Sequence, residues 1–567
     1  MYHLALHSQC GICADIIFRN QPVIALFGDD DSTSYRGQTR AFLFPDVEPT
    51  ITTVDGFQLC RRPKCKICAA SPHFIPVHYE CFHIFQQCCV ENISVLDRLW
   101  TMAAWRSPWR RARPIYLFRN QPDLNSLKAI SHTCQLPQLC KLPIELLVII
   151  HGYSEHALLW RAVSAHSLAS HVSSTSPEPL FTMPLGNILS WKRGGKLEKC
   201  CDNSSSRMPI VRLTIDSDGI SKIESTLDRL SKDAAHVRFA YIVEQKQTIG
   251  KLAAQFKNGL LRLVLPTGQP TPRIWNTPDP PDLSLCTPYM SAYPSWQHFY
   301  AVDTGRIVGI TFFFSSGRLF GIHPHYSNTS NAMPTYCRFS HRRQRGIVWV
   351  YQPIAKHDRL LVFGVRESSQ RELSVLIRFE QIGDVAIGSY IPGPAKDRCL
   401  AWCPPITLIY NEPIEGHEIS FLSASSGLSG GAGLPKPFGV EKLGLNPFRE
   451  QAYFSRAPLT DIASAEVFYD EDNQLCKGII FRYHDGACRA VGQCRVHIDA
   501  TTWVCRPRRF CYRIHARDHR HRVIYSLQVT LQEAPIHQHG EGWICHQLDG
   551  MLNFWFAPDS SFITIEN

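Results

Sequence analysis

Gly309-Ile310-Thr311-Phe312-Phe313-Phe314-Ser315-Ser316-Gly317 reads as a strand running into a turn, and the chain says it twice. About 170 residues later comes Gly478-Ile479-Ile480-Phe481-Arg482-Tyr483-His484-Asp485-Gly486, with Gly-Ile-x-Phe-x-aromatic-x-x-Gly at the same spacing. Side chains alternate across a strand, so Phe312 and Phe314, like Phe481 and Tyr483, share one face. The closing glycine suits a turn, and a second strand follows each (Arg318 to Ile322; Ala487 to Gly492). The pattern predicts a β-hairpin in two copies. Two related antiparallel modules are expected, at 295–425 and 451–567, with 426–450 between them as a Gly/Ser/Pro-rich linker.

Working outward, Gly346 to Tyr351, Asp358 to Arg366 and Leu376 to Phe379 extend the first module, and Gly550 to Phe556 with Phe562 to Ile565 close the second. Turn signals at strand spacing point to sandwiches or barrels. Residues 175–294 read as a small mixed α/β region. Strands are expected near Pro209, Tyr241 and Leu260, then a crossing from Pro266 to Pro294 too rich in proline to be helical. Trp275, Leu283 and Tyr289 need cover, so this crossing is expected to drape over the body.

In front of the strands lies Leu142-Pro143-Ile144-Glu145-Leu146-Leu147, continuing to Trp160. Pro143 suits a first helical position. Leu142, Leu146, Leu147, Ile149 and Ile150 give the helix a broad apolar face. Gly152 is a stop and Ser154 an N-cap for a second helix carrying Leu158, Leu159, Trp160, Ala162 and Val163. Two short helices at 138–174 cannot bury such faces on each other alone, so this chain or a partner must cover the rest. The segment 96–137 before them is expected to be a connector, with a helix over Ile93 to Trp105.

Residues 1–95 carry Cys10-x-x-Cys13, Cys60, Cys65-x-x-Cys68, His73, His78, Cys81 and His83. A Cys-x-x-Cys turn brings two thiolates to one zinc ion, and two such turns complete a tetrahedron. Cys10, Cys13, Cys65 and Cys68 would make one site; His78 and Cys81 would replace a pair or begin a second. Zinc bound only by Cys and His would be structural, stapling a module too loopy for its own core. The fold class expected is therefore multidomain α+β: a Cys/His-rich module, a helical hairpin, then mainly antiparallel β modules.

At 567 residues the chain has room for three or four domains, and 44% hydrophobic residues allow proper cores. A net charge of +10 is modest. The basic clusters at Arg106–Arg113, His341–Arg345, Arg506–Arg509 and Arg517–Arg522 are scattered and sit in no nucleic-acid motif, so a nucleic-acid partner is not expected. Nothing approaches the ~18 continuous apolar residues of a membrane helix, and the N-terminus lacks the basic start of a signal peptide. The 22 cysteines are too sparse for a disulfide scaffold. Together these favour a reducing intracellular setting, cytoplasm or nucleus.

Leu142-Pro-x-Glu-Leu-Leu followed by Ile149-Ile150 resembles the opening of an F-box, the helical motif that docks on the Skp-type adaptor of cullin ubiquitin ligases. Tyr153-Ser154 and Leu159-Trp160-Arg161 resemble the variant in a group of fungal F-box-like proteins. The match covers about thirty residues, and a third helix of the standard F-box is not visible in the sequence. Val77-His78-Tyr79-Glu80-Cys81-Phe82 is similar to a His-x-x-Cys-Phe element of the same group. So are Trp349 to Ile354, Gly478 to Arg495 and Phe554-Trp555-Phe556, which spread the likeness over most of the chain. The resemblance implies a non-enzymatic adaptor. Leu142, Pro143, Leu146, Leu147, Ile150 and Trp160 would meet the Skp-type partner, and the β modules would hold a protein target. The alternative is a stand-alone protein- or carbohydrate-binding β protein whose hairpin is only structural; the repeated Gly-Ile…Gly phrase is also similar to jacalin-like lectins.

Catalytic signals are weak. Gly427-Leu-Ser429-Gly-Gly431 spells the nucleophile elbow but lacks the strand-to-helix setting that holds a serine upright. His323-Pro-His325 and His537-Gln-His539 could each offer two imidazoles on one strand face, yet no acidic partner is spaced to finish a site.

Overall fold

The computed structural model describes residues 2–566 apart from 47–51, 63–64, 90–92, 118–122, 155, 201–208, 228–237, 267–269, 291–297, 413–416, 427–434, 440–445, 449–450, 471, 473, 520–521 and 535–537. Strands dominate, in several mainly antiparallel sheets, with helices gathered towards the N-terminal half. The chain divides into two units: Met1–Pro280 with Gln297–Phe299, and Pro281–Trp296 with Tyr300–Asn567.

In the first unit the strand Pro22–Gly28 is almost wholly apolar and pairs antiparallel with Phe74–His78, every residue of which is buried. Continuous apolar runs of this kind are strands covered on both faces. Helix α1 (Lys66–Ala70) precedes the second strand, and α2 (Tyr79–Cys88) springs directly from its end. Helix α3 (Ile93–Ala104) lays Leu99, Trp100, Ala103 and Ala104 into the same core. Gly28 makes this possible, since a Cβ there would lie 2.3 Å from the Trp100 ring. The expected helix at 93–105 is present, but as a wall of the Cys/His-rich module.

The rest of the expected connector is divided among other cores. Trp109 and Ala112 pack under the sheet that follows. Leu124–Thr133 forms a helix, α4, capped by Asp123, whose carboxylate accepts the amide N–H groups of Asn125 and Ser126. Next come α5 (Ile144–Tyr153) and α6 (Leu158–Ser174). Helix α6 serves two cores. Its first turns put Trp160, Ala162 and Val163 against Leu127 and Ile130 of α4 and Leu147 of α5. Its later Ala165, Ala169 and Val172, spaced four and three apart, face the Cys/His-rich core.

Behind the helices the strands Ile188–Lys192, Gly219–Thr226, Ile210–Asp216, Ala240–Gln245 and Ile274–Trp275 lie side by side in that order, all antiparallel. A three-stranded sheet of Phe181–Pro184, Ala253–Lys257 and Leu260–Val264 shares their core. The proline-rich crossing is anchored here: Trp275 is buried and stacks on Phe299 at 5.1 Å.

The second unit contains both repeated hairpins, Gly309–Ser315 with Arg318–His325 and Cys476–Tyr483 with Cys488–Gly492. The first turns on Ser316 and Gly317, both at positive φ as a two-residue hairpin turn requires. The second turn is longer, with Asp485 accepting the Ala487 amide at 2.9 Å. The likeness stops at the hairpin. The third strand beside the first copy follows it in sequence (Val348–Pro353), whereas that beside the second precedes it (Ile462–Tyr469).

Nor are the copies separate modules. One apolar core runs from Phe312 and Val350 through Ile377 to Phe481 and Phe554. The amide of Trp349 donates to Gln493 Oε1 at 3.2 Å, and Tyr453 pairs with Ser389 in an isolated bridge. A long hairpin, Arg509–His519 with Arg522–Gln532, follows, Ile544–Gln547 adds to its first strand, and the unit closes on Met551–Ala557 paired with Ser560–Glu566. Among the described residues, no helix is long and apolar enough to cross a membrane.

Candidate functional site

Two Cys/His clusters, each of three cysteines and one histidine, stand out in the first unit. In the first, Cys10, Cys13, His78 and Cys81 bring their ligand atoms within 4.8 Å of one another, and all four residues are buried. In the second, His3, Cys60, Cys65 and Cys68 do the same. Either set can hold a metal ion. The Cys-x-x-Cys turns therefore do not pair with each other, as one reading of the sequence expected. Cys10 and Cys13 meet His78 and Cys81, while Cys65 and Cys68 sit elsewhere with Cys60 and His3.

Local structure explains the first cluster. Cys10 starts a tight turn in which the Ala14 amide donates to the Cys10 carbonyl, and the Gly11 amide donates to Pro76. Gly11 is needed for that approach, because a Cβ would lie 2.5 Å from Ile75 and 2.9 Å from Ala103. His78 ends its strand and caps α2, so Cys81 comes round one turn later on the same side. The amides of Cys13 and His78 both donate to Cys10 Sγ, at 3.5 and 3.3 Å.

His78 Nδ1 faces the sulfurs, 3.4 Å from Cys13 Sγ and 3.8 Å from Cys81 Sγ. Its Nε2 faces Gln21 Oε1 at 3.2 Å. An amide oxygen can only accept, so Nε2 carries an N–H, and Nδ1, once it gives up its proton, is the nitrogen placed to act as a ligand.

Electrostatics follow from the crowding. Burial resists charge on Cys10, but hydrogen bonds from Cys13 and Cys81 and the adjacent His78 outweigh it and hold this thiol well below its ordinary range. Burial and the hydrogen bond to Cys10 push Cys13 up, and hydrogen bonds to Cys10 and Cys13 with burial push Cys81 up. His78 rises to about 10 despite burial, because the Cys10 thiolate faces it.

The second cluster depends on a parallel strand pair, His3–Ala5 against Phe57–Cys60, which places His3 near Cys60. Cys65 caps α1 and Cys68 lies within that helix. Cys65 Sγ is 3.3 Å from His3 Nδ1. Burial alone would raise its pKa, but hydrogen bonds from Cys68, His3 and the Ile67 amide bring it down to about 7. His3 and Cys60 were not among the ligands the spacing suggested. His3 carries no local signal, since only the long-range strand pair delivers it.

Other candidates resolve as structure. His73 donates to or accepts from Ser32 Oγ at 2.7 Å. His323 and His325 are bonded to Thr335 Oγ1 and Thr311 Oγ1, at 2.9 and 2.8 Å. Asp358 accepts the Gln381 amide, a backbone cap as its turn position suggests. Ser429 and His537 lie outside the described residues. Among those described, no cysteines stand at disulfide distance.

The helical hairpin of α5 and α6, a hook in front of the strands, has two faces. Leu147 and Trp160 are 2% and 4% exposed, and Leu142 and Ile150 lean on the same cluster. These side chains, expected to face a partner, instead knit α4, α5 and α6 together. Ser154 does not cap α6, whose N-cap is Ala157. It ends α5, and its hydroxyl accepts the Trp160 indole N–H at 2.9 Å. Outward, Leu146, Ile149 and Tyr153 form a stripe three and four residues apart, with Leu158 at the start of α6. Tyr153 is 90% exposed and Ile149 52%. Pro143 is exposed at the N-cap of α5. No protein-family model matches this sequence, and no curated protein matches it.

Proposed function

We propose that the chain is a non-enzymatic adaptor of F-box-like type, which docks through its helical hook on a Skp-type protein and offers the β-rich second unit to a protein target. The observation that carries this reading is the uncovered stripe of Leu146, Ile149 and Tyr153 on a helix whose opposite face is locked to two neighbours. Apolar side chains arrayed at helical spacing on a rigid support suit helix-mediated docking. The resemblance of Leu142 to Trp160 to an F-box names the partner class. Helix α4 supplies a third helix beside the hairpin.

In this reading both Cys/His clusters hold zinc. Three thiolates and one imidazole, closed and without an open position, are a structural zinc set. The metal would stiffen the module on which α6 rests. Cysteines outside disulfides among the described residues suit a reducing compartment, cytoplasm or nucleus.

The test is co-purification of the full chain with a Skp-type adaptor, comparing wild type with Leu146→Asp/Ile149→Asp. Both positions are exposed, so the fold should survive. Binding by wild type and its loss in the variant are expected. Failure of the wild type to bind, or full binding by the variant, would sink the proposal. Burial of Leu147 and Trp160 favours a second reading, a binding protein whose hairpin is internal; it predicts that the double change alters nothing.

A further inference from the structure

The second unit carries a cluster unlike the two described above. Cys511 and Cys545 face each other directly across the antiparallel pair Arg509–His519 and Ile544–Gln547. His539, in the loop leading into the latter strand, closes the group, and the three ligand atoms lie within 4.8 Å of one another. We propose that Cys511, His539 and Cys545 form a third zinc site, with its fourth position open to water or a small exchangeable ligand such as a thiol or imidazole.

The geometry supports a site over a chance meeting in three ways. Cys511 on the long strand and Cys545 on the short strand Ile544–Gln547 are direct cross-strand neighbours, so their separation is set by the ladder and not by loop motion. The His539 ring stacks on Trp543 at 4.7 Å and 15°, which fixes the plane of the imidazole. Arg513, from the same strand as Cys511, lies over the other partner of that stack at 5.5 Å. Two thiolates and one imidazole select a soft or borderline ion, and zinc is the common one.

The site also differs from the N-terminal clusters in what it leaves open. Those have four donors each, and the first is wholly buried. Here there are three, with Cys511 buried, His539 half-buried and Cys545 exposed, so the ion would face solvent on one side. Three protein ligands and a replaceable fourth are the mark of zinc that exchanges a ligand.

Full-length protein purified under mild reductant should lose one equivalent of zinc per chain on Cys545→Ser, and one on His539→Gln, relative to wild type. Cys545 is exposed, so the melting temperature of that variant should stay within a few degrees. With cobalt in place of zinc, added imidazole should shift the visible spectrum of wild type and not of Cys545→Ser, because four-ligand sites have no position to give up. Unchanged zinc content in both variants would overturn the proposal, as would a Cys511–Cys545 disulfide in freshly isolated, alkylated protein. Neither result touches the hook, whose partner binding is read separately.

Discussion

Asp15 and His156 lie 141 positions apart in the sequence, and Asp15 Oδ1 meets His156 Nδ1 at 2.6 Å. Asp15 sits two residues beyond Cys13, and His156 sits in the turn joining α5 to α6. The loop of the first Cys/His cluster therefore reaches the turn of the hook. Removing the contact should loosen that turn while sparing the core. His156→Ala should cost about 1 kcal/mol, the usual worth of a partly exposed charge-assisted bond. Hydrogen exchange should quicken at 150–160, with little change elsewhere.

Metal removal should act through the same region. Cys13 and Cys81 are held protonated and His78 carries a proton until about pH 10. Ligands must give up protons to bind, so uptake at this cluster should release up to three. Affinity should accordingly rise with pH across the neutral range and fail on acidification. Calorimetry in buffers of different ionisation heat measures the proton count. Cys81→Ser should abolish one site and lower the melting temperature, since it breaks a buried set next to α2.

The two faces of α5 predict opposite outcomes for neighbouring leucines. Leu147→Ala opens a cavity among α4, α5 and α6 and should cost about 2–5 kcal/mol. Leu146→Ala, on the exposed stripe, should stay within about 0.5 kcal/mol while weakening partner binding. Denaturant unfolding beside a pull-down separates the two effects.

Acid should weaken the second unit through its buried histidines. Burial, with His325 close by, lowers His323 to about 3, and burial lowers His325 to about 4. Unfolded, both take up protons near pH 6.5. Between about pH 6.5 and 4 the unfolded chain thus binds more protons, and stability must fall as pH drops. The melting temperature should decline on the order of 5 °C or more over that window. His323→Gln, which keeps a partner for Thr335, should flatten the slope.

Local periodicity made the hook helices and both hairpins legible, because each is written in fewer than twenty consecutive residues. Helix α4 was not: Leu124, Leu127 and Ile130 are its only large aliphatic residues, in an otherwise polar stretch. Spacing singled out six of the eight residues of the two Cys/His clusters, yet their grouping depended on distant strand pairs. Thus His3 gains a role only where His3–Ala5 pairs with Phe57–Cys60. Which hook residues turn outward was equally hidden, since Leu146 and Leu147 are alike in sequence and differ only in what α4 and α6 cover. The merging of the two β modules was also invisible, because it rests on non-local bonds such as Trp349 to Gln493.

That merging has a cost for anyone dividing the molecule. Each copy of the hairpin completes its neighbour's interior. Severing the polypeptide between residues 426 and 450 should therefore yield two insoluble fragments rather than two working halves, and only co-expression should restore soluble material. The two hairpins fold as one body or not at all.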